Sequence, residues 1–324
     1  MTQQAIISIL GGSGFIGRAL AEALTREAQG TGRTIRVITR SRSKAKQLWS
    51  LPGIQIVEAD IRQESELGDA IEGSQAIVNL VGVLQSRPGK PWGPDFDECH
   101  VKLPSRLARC LIRLGIRRLI HVSALGASDQ APSMYLRSKA AGEAALRGTL
   151  SIDLTILRPS VVFGPGDRFL NLFAELQRFM PIVPLATPHA KFQPIAIDDL
   201  VTALISCIRN PETRGKTYEC VGPEVLSLYE IVHWAGFYSG HPRPILPLSD
   251  SLAWIQALIM ENLPGEPLLT RDNLASASVP NVGSGPMAAE LGVPQPTSLH
   301  AVADAILGGQ TPRGRLFARR AKTL

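Results

Sequence analysis

The stretch from residue 5 to residue 17 constrains this chain more than any other. The apolar run Ala5-Ile6-Ile7-Ser8-Ile9-Leu10 reads as a buried strand, and it flows straight into Gly11-Gly12-Ser13-Gly14-Phe15-Ile16-Gly17 at the start of a helical pattern. Closely spaced glycines between a strand and a helix make a phosphate cradle. Gly11 supplies the tight turn, Gly14 lets backbone approach a pyrophosphate, and Gly17 lets the helix close on the strand. The helix N-terminus adds free N–H groups and the positive end of its dipole. Gly12, Ser13, Phe15 and Ile16 fall in the same turn and join the expected ligand contacts. Without the flanking strand and helix, the glycines would spell only a flexible loop.

The chain then alternates. The first helix is expected to end near Glu27, and Gln29-Gly30-Thr31-Gly32-Arg33 reads as a polar loop. Ile35 to Thr39 is β-branched and reads as a second strand, with Arg40-Ser41-Arg42 at its tip. An acid at that tip would accept from a ribose 2′-hydroxyl. Two guanidiniums instead suit a 2′-phosphate, so Arg40 and Arg42 favour NADP(H) over NAD(H), the alternative being surface arginines at a strand end. A third strand, Ile54 to Ala59, leads into Asp60 and Ile61 at the expected adenine edge. Asp60 there accepts from the exocyclic amine while Ile61 packs on the ring, or Asp60 merely caps the helix beginning near Glu64.

A fourth strand, Ala76 to Val81, ends at Gly82, where backbone again comes close to a cofactor. A helical pattern from about Phe96 to Leu114, kinked at Pro104 and stopped by Gly115, precedes a fifth strand, Arg118 to Ser123. Strands and helices at this spacing require parallel pairing with right-handed crossovers, so the expected class is α/β with a doubly wound parallel sheet.

Ser123 falls at the carboxyl end of its strand, the edge where such sheets bind ligands. Tyr135-Leu136-Arg137-Ser138-Lys139 opens a helix that continues through Leu146, and residues four apart share a helix face. Tyr135 and Lys139 therefore point together, toward Ser123 if the helix lies beside the fifth strand. A phenol with a usual pKa of about 10 needs a neighbouring ammonium to serve as an acid or base at neutral pH. Lys139 can supply that charge while holding a nicotinamide ribose, and Ser123 can hydrogen-bond a substrate oxygen. Taken singly, the three are also a surface tyrosine, a solvated lysine and a strand-end hydroxyl.

Composition narrows the partners. At 324 residues, with 44% apolar and 19% charged residues, the chain is an ordinary globular protein able to bury a large core. The formal charge of +6 falls largely in Arg313, Arg315, Arg319, Arg320 and Lys322, read as a solvated tail, with contact to anionic lipid or an acidic protein surface as the alternative. No interleaving of aromatic and basic residues points to nucleic acid. Cys99, Cys110, Cys207 and Cys220 lack metal-type spacing and read as buried thiols of a reducing compartment, and no metal is expected. The N-terminus carries no signal-peptide pattern, and the apolar stretch Leu252 to Leu263 is too short to cross a bilayer. That stretch reads as a buried or interfacial helix. The expected location is cytoplasmic, with peripheral attachment at the inner face of the membrane as the alternative.

At this point the motifs resemble a known family. Gly11 to Gly17, Asn79-Leu80-Val81-Gly82, His121-Val122-Ser123-Ala124-Leu125-Gly126-Ala127 and Tyr135 to Glu143 are similar to the short-chain dehydrogenase/reductase superfamily of the extended or atypical kind. Leu157 to Gly164, Gly166-Asp167-Arg168-Phe169-Leu170-Asn171, Gln193 to Asp199 and Leu269 to Asn273 extend the likeness over nearly the whole chain. They resemble the Rossmann-type accessory subunits of respiratory complex I, the alpha-subcomplex subunit nine family, and their bacterial relatives. The resemblance implies tightly held NADP(H) and a role in organising a membrane complex near its quinone site. Val81, Gly82 and Pro159, at strand ends, join the expected cofactor contacts along with Tyr135 and Lys139.

The second half is less legible. Residues 1–165 are expected to form the Rossmann core, with returning strands near 192–197 and 216–222, and residues 166–324 a smaller C-terminal cap that selects a substrate or partner. Ser227-Leu228-Tyr229-Glu230 reads as a helix cap. Three functions stay open: an NADP(H)-binding subunit of a respiratory or quinone-linked membrane complex, an NADPH-dependent reductase, epimerase or dehydratase acting on a small carbonyl or sugar-nucleotide substrate, and a nucleotide-sensing corepressor.

Overall fold

The computed structural model describes residues 5–28, 32–149 and 151–308. Gln29 to Thr31 of the expected polar loop and the basic run Arg313 to Lys322 lie outside the described residues. The first half contains β1 (Ile6–Leu10), α1 (Phe15–Ala28), β2 (Thr34–Thr39), β3 (Ile54–Glu58), α2 (Glu64–Ile71) and β4 (Ala76–Asn79). A short turn α3 (Pro94–Phe96) follows, then α4 (Leu103–Leu114), β5 (Arg118–Val122), α5 (Met134–Arg147) and β6 (Asp153–Pro159). Beyond it come β7 (Val162–Phe163), α6 (Leu170–Phe179), β8 (Val183–Leu185), β9 (Lys191–Phe192), β10 (Ile195–Ala196) and α7 (Ile197–Arg209). The chain continues through β11 (Thr217–Cys220), β12 (Leu226–Ser227), α8 (Leu228–Ser239), β13 (Ile245–Pro247), α9 (Asp250–Glu261), α10 (Arg271–Ala277) and α11 (Leu299–Leu307).

Two compact units divide the chain. The first comprises Met1–Arg158, Leu200–Glu219 and Met287–Pro294, and it holds a seven-stranded sheet in the order β11-β6-β5-β4-β1-β2-β3. β1 pairs in parallel with both β2 and β4, and β4, β5 and β6 continue in parallel. The order runs outward from β1 through β2 and β3, then reverses to run from β4 through β6. That reversal opens a crevice at the carboxyl ends of β1 and β4, the place where doubly wound sheets take their ligands. Ile9, Leu10, Val37, Ile38, Ile77, Val78, Leu119 and Ile120 are all buried, so these strands are apolar on both faces, as a sheet covered by helices on each side demands.

Two local expectations change. The helix from Phe96 to Leu114 is not simply kinked at Pro104: residues Asp97–Lys102 form a π-helical stretch, and Pro104 falls in the first turn of α4. Proline has no N–H to return to His100 O, so the chain widens its turn there rather than leave a poor α-helical ladder. The freed carbonyl is met by α5, where a Cβ on Gly142 would lie 2.0 Å from His100 O. β4 also stops at Asn79, because Asn79 Oδ1 accepts the Val81 N–H (3.1 Å) and takes that residue off the ladder.

The second unit comprises Pro159–Asp199, Cys220–Pro286 and Gln295–Leu324. The stretch expected to return to the core as one strand near 192–197 is divided instead: β9 pairs antiparallel with β12, and β10 pairs parallel with β7, in two separate two-stranded sheets. Pro194 interrupts the run and removes a ladder donor, which accounts for the split. α8 starts at a capping box in which Ser227 Oγ accepts the Glu230 N–H at 3.2 Å. It packs with α6 and α11 around Leu170, Ala174, Ile231, Ala235, Leu299 and Ala303. α9 is built the other way round, burying Ala253 and Ala257 while Leu252, Trp254, Ile255 and Ile259 are exposed. Residues 252–263 are therefore not a fully buried helix.

Candidate functional site

The cradle is made by close backbone packing. Gly11 sits at φ 77°, a left-handed conformation that glycine adopts at no steric cost. A Cβ on Gly17 would come within 2.5 Å of Gly11 O and Gly12 Cα, and one on Gly12 within 2.8 Å of Val37. Gly14 N–H donates to Gly11 O, and Arg18 N–H to Gly14 O begins the ladder of α1. Helix geometry leaves the N–H groups of Phe15, Ile16 and Gly17 without an intrahelical acceptor, facing the crevice end of β1. Ser13 Oγ lies 3.0 Å from Thr39 Oγ1, tying the turn to the tip of β2. The free N–H donors and the glycine backbone fit a pyrophosphate.

At the tips of β2 and β3 a cavity of about 300 Å³ is lined by Arg40, Glu58, Ala59, Asp60, Arg62 and Glu66. Its carboxylates are engaged. Glu58 accepts the Arg42 N–H (3.0 Å), Glu66 accepts the Asp60 N–H (2.7 Å), and Asp60 is gripped by the Arg62 guanidinium at 2.7 to 3.1 Å. The hydrogen bonds from Arg62 hold the Asp60 carboxyl down to about 2. Among the described residues Arg40 has no ion pair with any of them. The Arg42 side chain is exposed and not among the lining residues, and Ile61 packs against the core cluster under the sheet while Arg106 holds its carbonyl. Of the residues expected at the adenosine end, the structure thus gathers Arg40 and Asp60 around one cavity and leaves Arg42 and Ile61 outside its lining.

At the other end, α5 lies beside the tip of β5. Lys139 Nζ donates to Val122 O at 3.3 Å, one residue before Ser123, and a Cβ on Gly82 would be 3.0 Å from that Nζ. α5 buries polar side chains here. Ser133 caps it, and Glu143 is clamped by Arg158 at 2.7 and 2.8 Å and by Arg147 at 3.0 Å. Removing one partner of such a buried pair leaves an uncompensated charge. Ser123 Oγ is buried and has no hydrogen-bond partner among the described residues. A buried hydroxyl left unsatisfied is unfavourable unless something else binds it. Pro159 ends β6 and belongs to the second unit.

Burial pushes the half-buried Tyr135 phenol up to about 12. Burial also lowers the Lys139 ammonium from its usual 10.5 to about 8. That depression has a sign. The folded protein releases this proton near pH 8 and the unfolded chain near 10.5, so at pH 7 the buried charge destabilises the fold by about 3 kcal/mol and the effect vanishes above pH 10.5. Lys139→Met is therefore expected to raise the urea-unfolding free energy by about 3 kcal/mol at pH 7, fading to no gain above pH 10.5. A variant less stable than wild type at pH 7 would contradict this.

His100 was missed by reading the residues in order, although it connects these parts. Val83 N–H donates to its Nε2 (3.1 Å), so the ring proton sits on Nδ1 and goes to Ser138 Oγ (2.9 Å), whose own proton goes to Tyr135 O (2.8 Å). The ring stacks on Phe96 and meets Tyr135 edge-on at 5.6 Å. It thereby ties the Gly82–Val83 loop to the helix carrying Tyr135 and Lys139. The one signal was its place just before Pro104. Asn79 and His121 form a second buried pair, Asn79 Nδ2 donating to His121 Nδ1 at 3.1 Å. Cys110, Cys207 and Cys220 are buried as expected, but Cys99, on the π-helical stretch, is only partly so. Among the described residues no cluster of metal-ligating side chains occurs.

A doubly wound parallel sheet with a glycine turn at its switch point defines the class, a nucleotide-binding α/β protein. Residues 7–220 match the NAD dependent epimerase/dehydratase family, and the chain belongs to that family. It is 31% identical over 301 residues to the mouse mitochondrial protein named NADH dehydrogenase [ubiquinone] 1 alpha subcomplex subunit 9, covering 91% of this chain and 77% of that one. It is also 28% identical over 246 residues to the ceramide reductase of Caulobacter vibrioides, covering 76% of this chain and 74% of that protein. The fold is similar to that of a Bacillus cereus UDP-glucuronic acid 4-epimerase solved with UDP-glucuronic acid and NAD, with a TM-score of 0.70, 19% identity, and coverage of 94% of this chain and 98% of that one. The family resemblance carried by the motifs is thus borne out.

Proposed function

We propose that this protein binds NADP(H) firmly and serves as a peripheral subunit of a respiratory or quinone-linked membrane complex, with the coenzyme acting chiefly as part of the structure. When bound, the coenzyme would supply a nicotinamide able to carry a hydride. Gly11 to Gly17 would hold the diphosphate, Arg40 would meet the 2′-phosphate, and Gly82, Ser123, Tyr135 and Lys139 would hold the nicotinamide end. The carrying observation is the Tyr135 phenol, pushed up to about 12 by burial. A proton donor works best with a pKa near the operating pH, so this phenol is poorly matched to rapid turnover. Support for the complex comes from the likeness to the mouse subunit along most of both chains. No described helix is long and apolar enough to cross a membrane, in keeping with a peripheral position.

Native mass spectrometry of gently purified protein tests both halves. The expected spectrum carries the mass of the phosphorylated dinucleotide, together with partner subunits from solubilised membranes. Bound NAD, or no retained nucleotide, would overturn the cofactor assignment. Arg40→Ala is expected to weaken NADPH binding by roughly 10- to 100-fold, the worth of one charge-assisted phosphate contact, and to leave NADH binding unchanged. Equal losses for both coenzymes would remove Arg40 from the 2′-phosphate.

A second reading is favoured by the unpartnered Ser123 hydroxyl, which suits a substrate oxygen. On that reading the chain is an NADPH-dependent reductase, epimerase or dehydratase with Tyr135 as proton donor. A carbonyl panel followed by NADPH absorbance separates the two. Turnover that drops by about 10²- to 10⁴-fold in Tyr135→Phe supports the enzyme, and equal rates for the two proteins sink it.

A further inference from the structure

We infer that His100 is a positioning residue for the nicotinamide end of the coenzyme: its ring sets the separation between the Gly82 backbone and the Lys139 ammonium, which would together hold the nicotinamide ribose. The inference deepens the coenzyme binding proposed above and rests on it.

The starting observation is how the chain leaves β4. Leu80 N–H still donates to Leu10 O at 3.0 Å, but beyond it side chains take over the backbone. Asn79 Oδ1 accepts the Val81 N–H and His100 Nε2 accepts the Val83 N–H, each at 3.1 Å. Gly82 hangs between these two anchors and is exposed. A Cβ there would lie 3.0 Å from Lys139 Nζ and 3.5 Å from His100 Nε2, so the bare backbone of Gly82 passes directly over both groups.

The far side of the ring fixes α5. His100 Nδ1–H donates to Ser138 Oγ (2.9 Å), the residue before Lys139, and Ser138 donates in turn to Tyr135 O (2.8 Å). One imidazole therefore joins the turn after β4 to the helix that carries the ammonium. The joint is stiff. Its ring is 2% exposed, stacks on Phe96 at 5.3 Å and meets Tyr135 edge-on at 5.6 Å. α5 comes this close because Gly142 faces His100 O, where a Cβ would be only 2.0 Å away. Burial and the Lys139 charge hold the ring down to about 2, so Nε2 remains an acceptor for Val83 and the direction of the bonds is fixed.

Leucine at position 100 fills much of the same volume but takes this partner from Val83 N–H and Ser138 Oγ, so the Gly82 turn and α5 lose their common anchor. The adenosine end is assigned to a different place, the cavity lined by Arg40 and Asp60 at the tips of β2 and β3. A positioning role therefore predicts a loss confined to the nicotinamide end of the ligand, whereas general support of the fold predicts an equal loss at both ends.

The test titrates the full chain with NADPH and with adenosine 2′,5′-bisphosphate, which carries the adenosine end and no nicotinamide. His100→Leu is expected to bind NADPH about tenfold more weakly or worse and the bisphosphate within about twofold of wild type. His100→Gln, which keeps one acceptor and one donor, is expected to restore NADPH binding to within about threefold. At saturation, the nicotinamide fluorescence of NADPH on His100→Leu is expected to move toward that of the free coenzyme, and emission identical to the wild-type complex counts against the inference. Unchanged NADPH binding by His100→Leu, or an equal loss for both ligands, overturns it. Should His100→Leu melt well below wild type, Ser138→Ala cuts the same link at its other bond and is read by the same two outcomes. A wild-type protein that binds neither ligand overturns the coenzyme assignment itself, whereas wild type binding both with His100→Leu unchanged removes only the role of His100.

Discussion

Lowering the pH from 6.5 to 4.5 is expected to cost this protein about 5 kcal/mol of stability through two histidines alone. His100 and His121 are both buried, and burial, reinforced by the nearby Lys139 ammonium, depresses them to about 2 and about 3. Both values lie below the ordinary 6.5, so the sign follows. The folded state stays unprotonated down to pH 3 while the unfolded chain takes up a proton on each histidine as pH falls through 6.5. Each therefore removes about 1.4 kcal/mol per pH unit below that point, and most carboxylates are still ionised in this window. A loss of this size is comparable to the whole stability of an ordinary domain. Unfolding by urea, followed between pH 7 and pH 4.5, should show a slope of nearly 3 kcal/mol per pH unit. His100→Gln keeps an acceptor for Val83 N–H and a donor for Ser138, and should halve that slope. A flat profile would mean that one or both rings take up protons in the folded state.

The second large effect is expected at the cradle. A Cβ on Gly17 meets Gly11 O and Gly12 Cα at 2.5 Å, and both are backbone atoms of the turn itself, with no flexible side chain to swing away. Gly17→Ala should push the start of α1 off the end of β1 and spoil the aim of the Phe15, Ile16 and Gly17 N–H groups. Overpacking of this kind destabilises by about 1–3 kcal/mol. Losing two or so charge-assisted contacts to the diphosphate should weaken NADPH binding on the order of a hundredfold. Gly14→Ala is the milder comparison, because its Cβ would meet only Gly11 O at 3.2 Å. Titration calorimetry with NADPH reads both variants. Tight binding by a folded Gly17→Ala protein would remove the dinucleotide from this turn and with it the proposed function.

Much of the first unit was legible because its signals are local. The run Ile6–Leu10, the glycines after it, and the later apolar strands at regular spacing specify parallel pairing through short-range rules, and the seven-stranded sheet follows them. Ser123 and Lys139 were placed at one strand end by the period of a helix, and the bond from Lys139 Nζ to Val122 O is what that period produces. The rise in the Tyr135 phenol could not be read in advance, because a pKa depends on how deeply a group is desolvated, which no residue spacing encodes. His100 escaped notice for a similar reason. Its role comes from partners 17 and 38 residues away, brought together only when α5 lies against the π-helical stretch.

In the second unit less could be read. Prolines such as Pro181, Pro184, Pro188 and Pro194 erase the periodicities that mark strands, so the pairing of β9 with β12 and of β8 with β13 rests on contacts distant in sequence. The amino-acid order alone determined the α/β class, the glycine turn after β1 and the shared helix face of Tyr135 and Lys139, since each depends on neighbours within one strand or one helical turn. Tertiary structure alone decided which of those groups are desolvated and which side of α9 meets water, because burial is set by what packs on a residue from elsewhere in the chain.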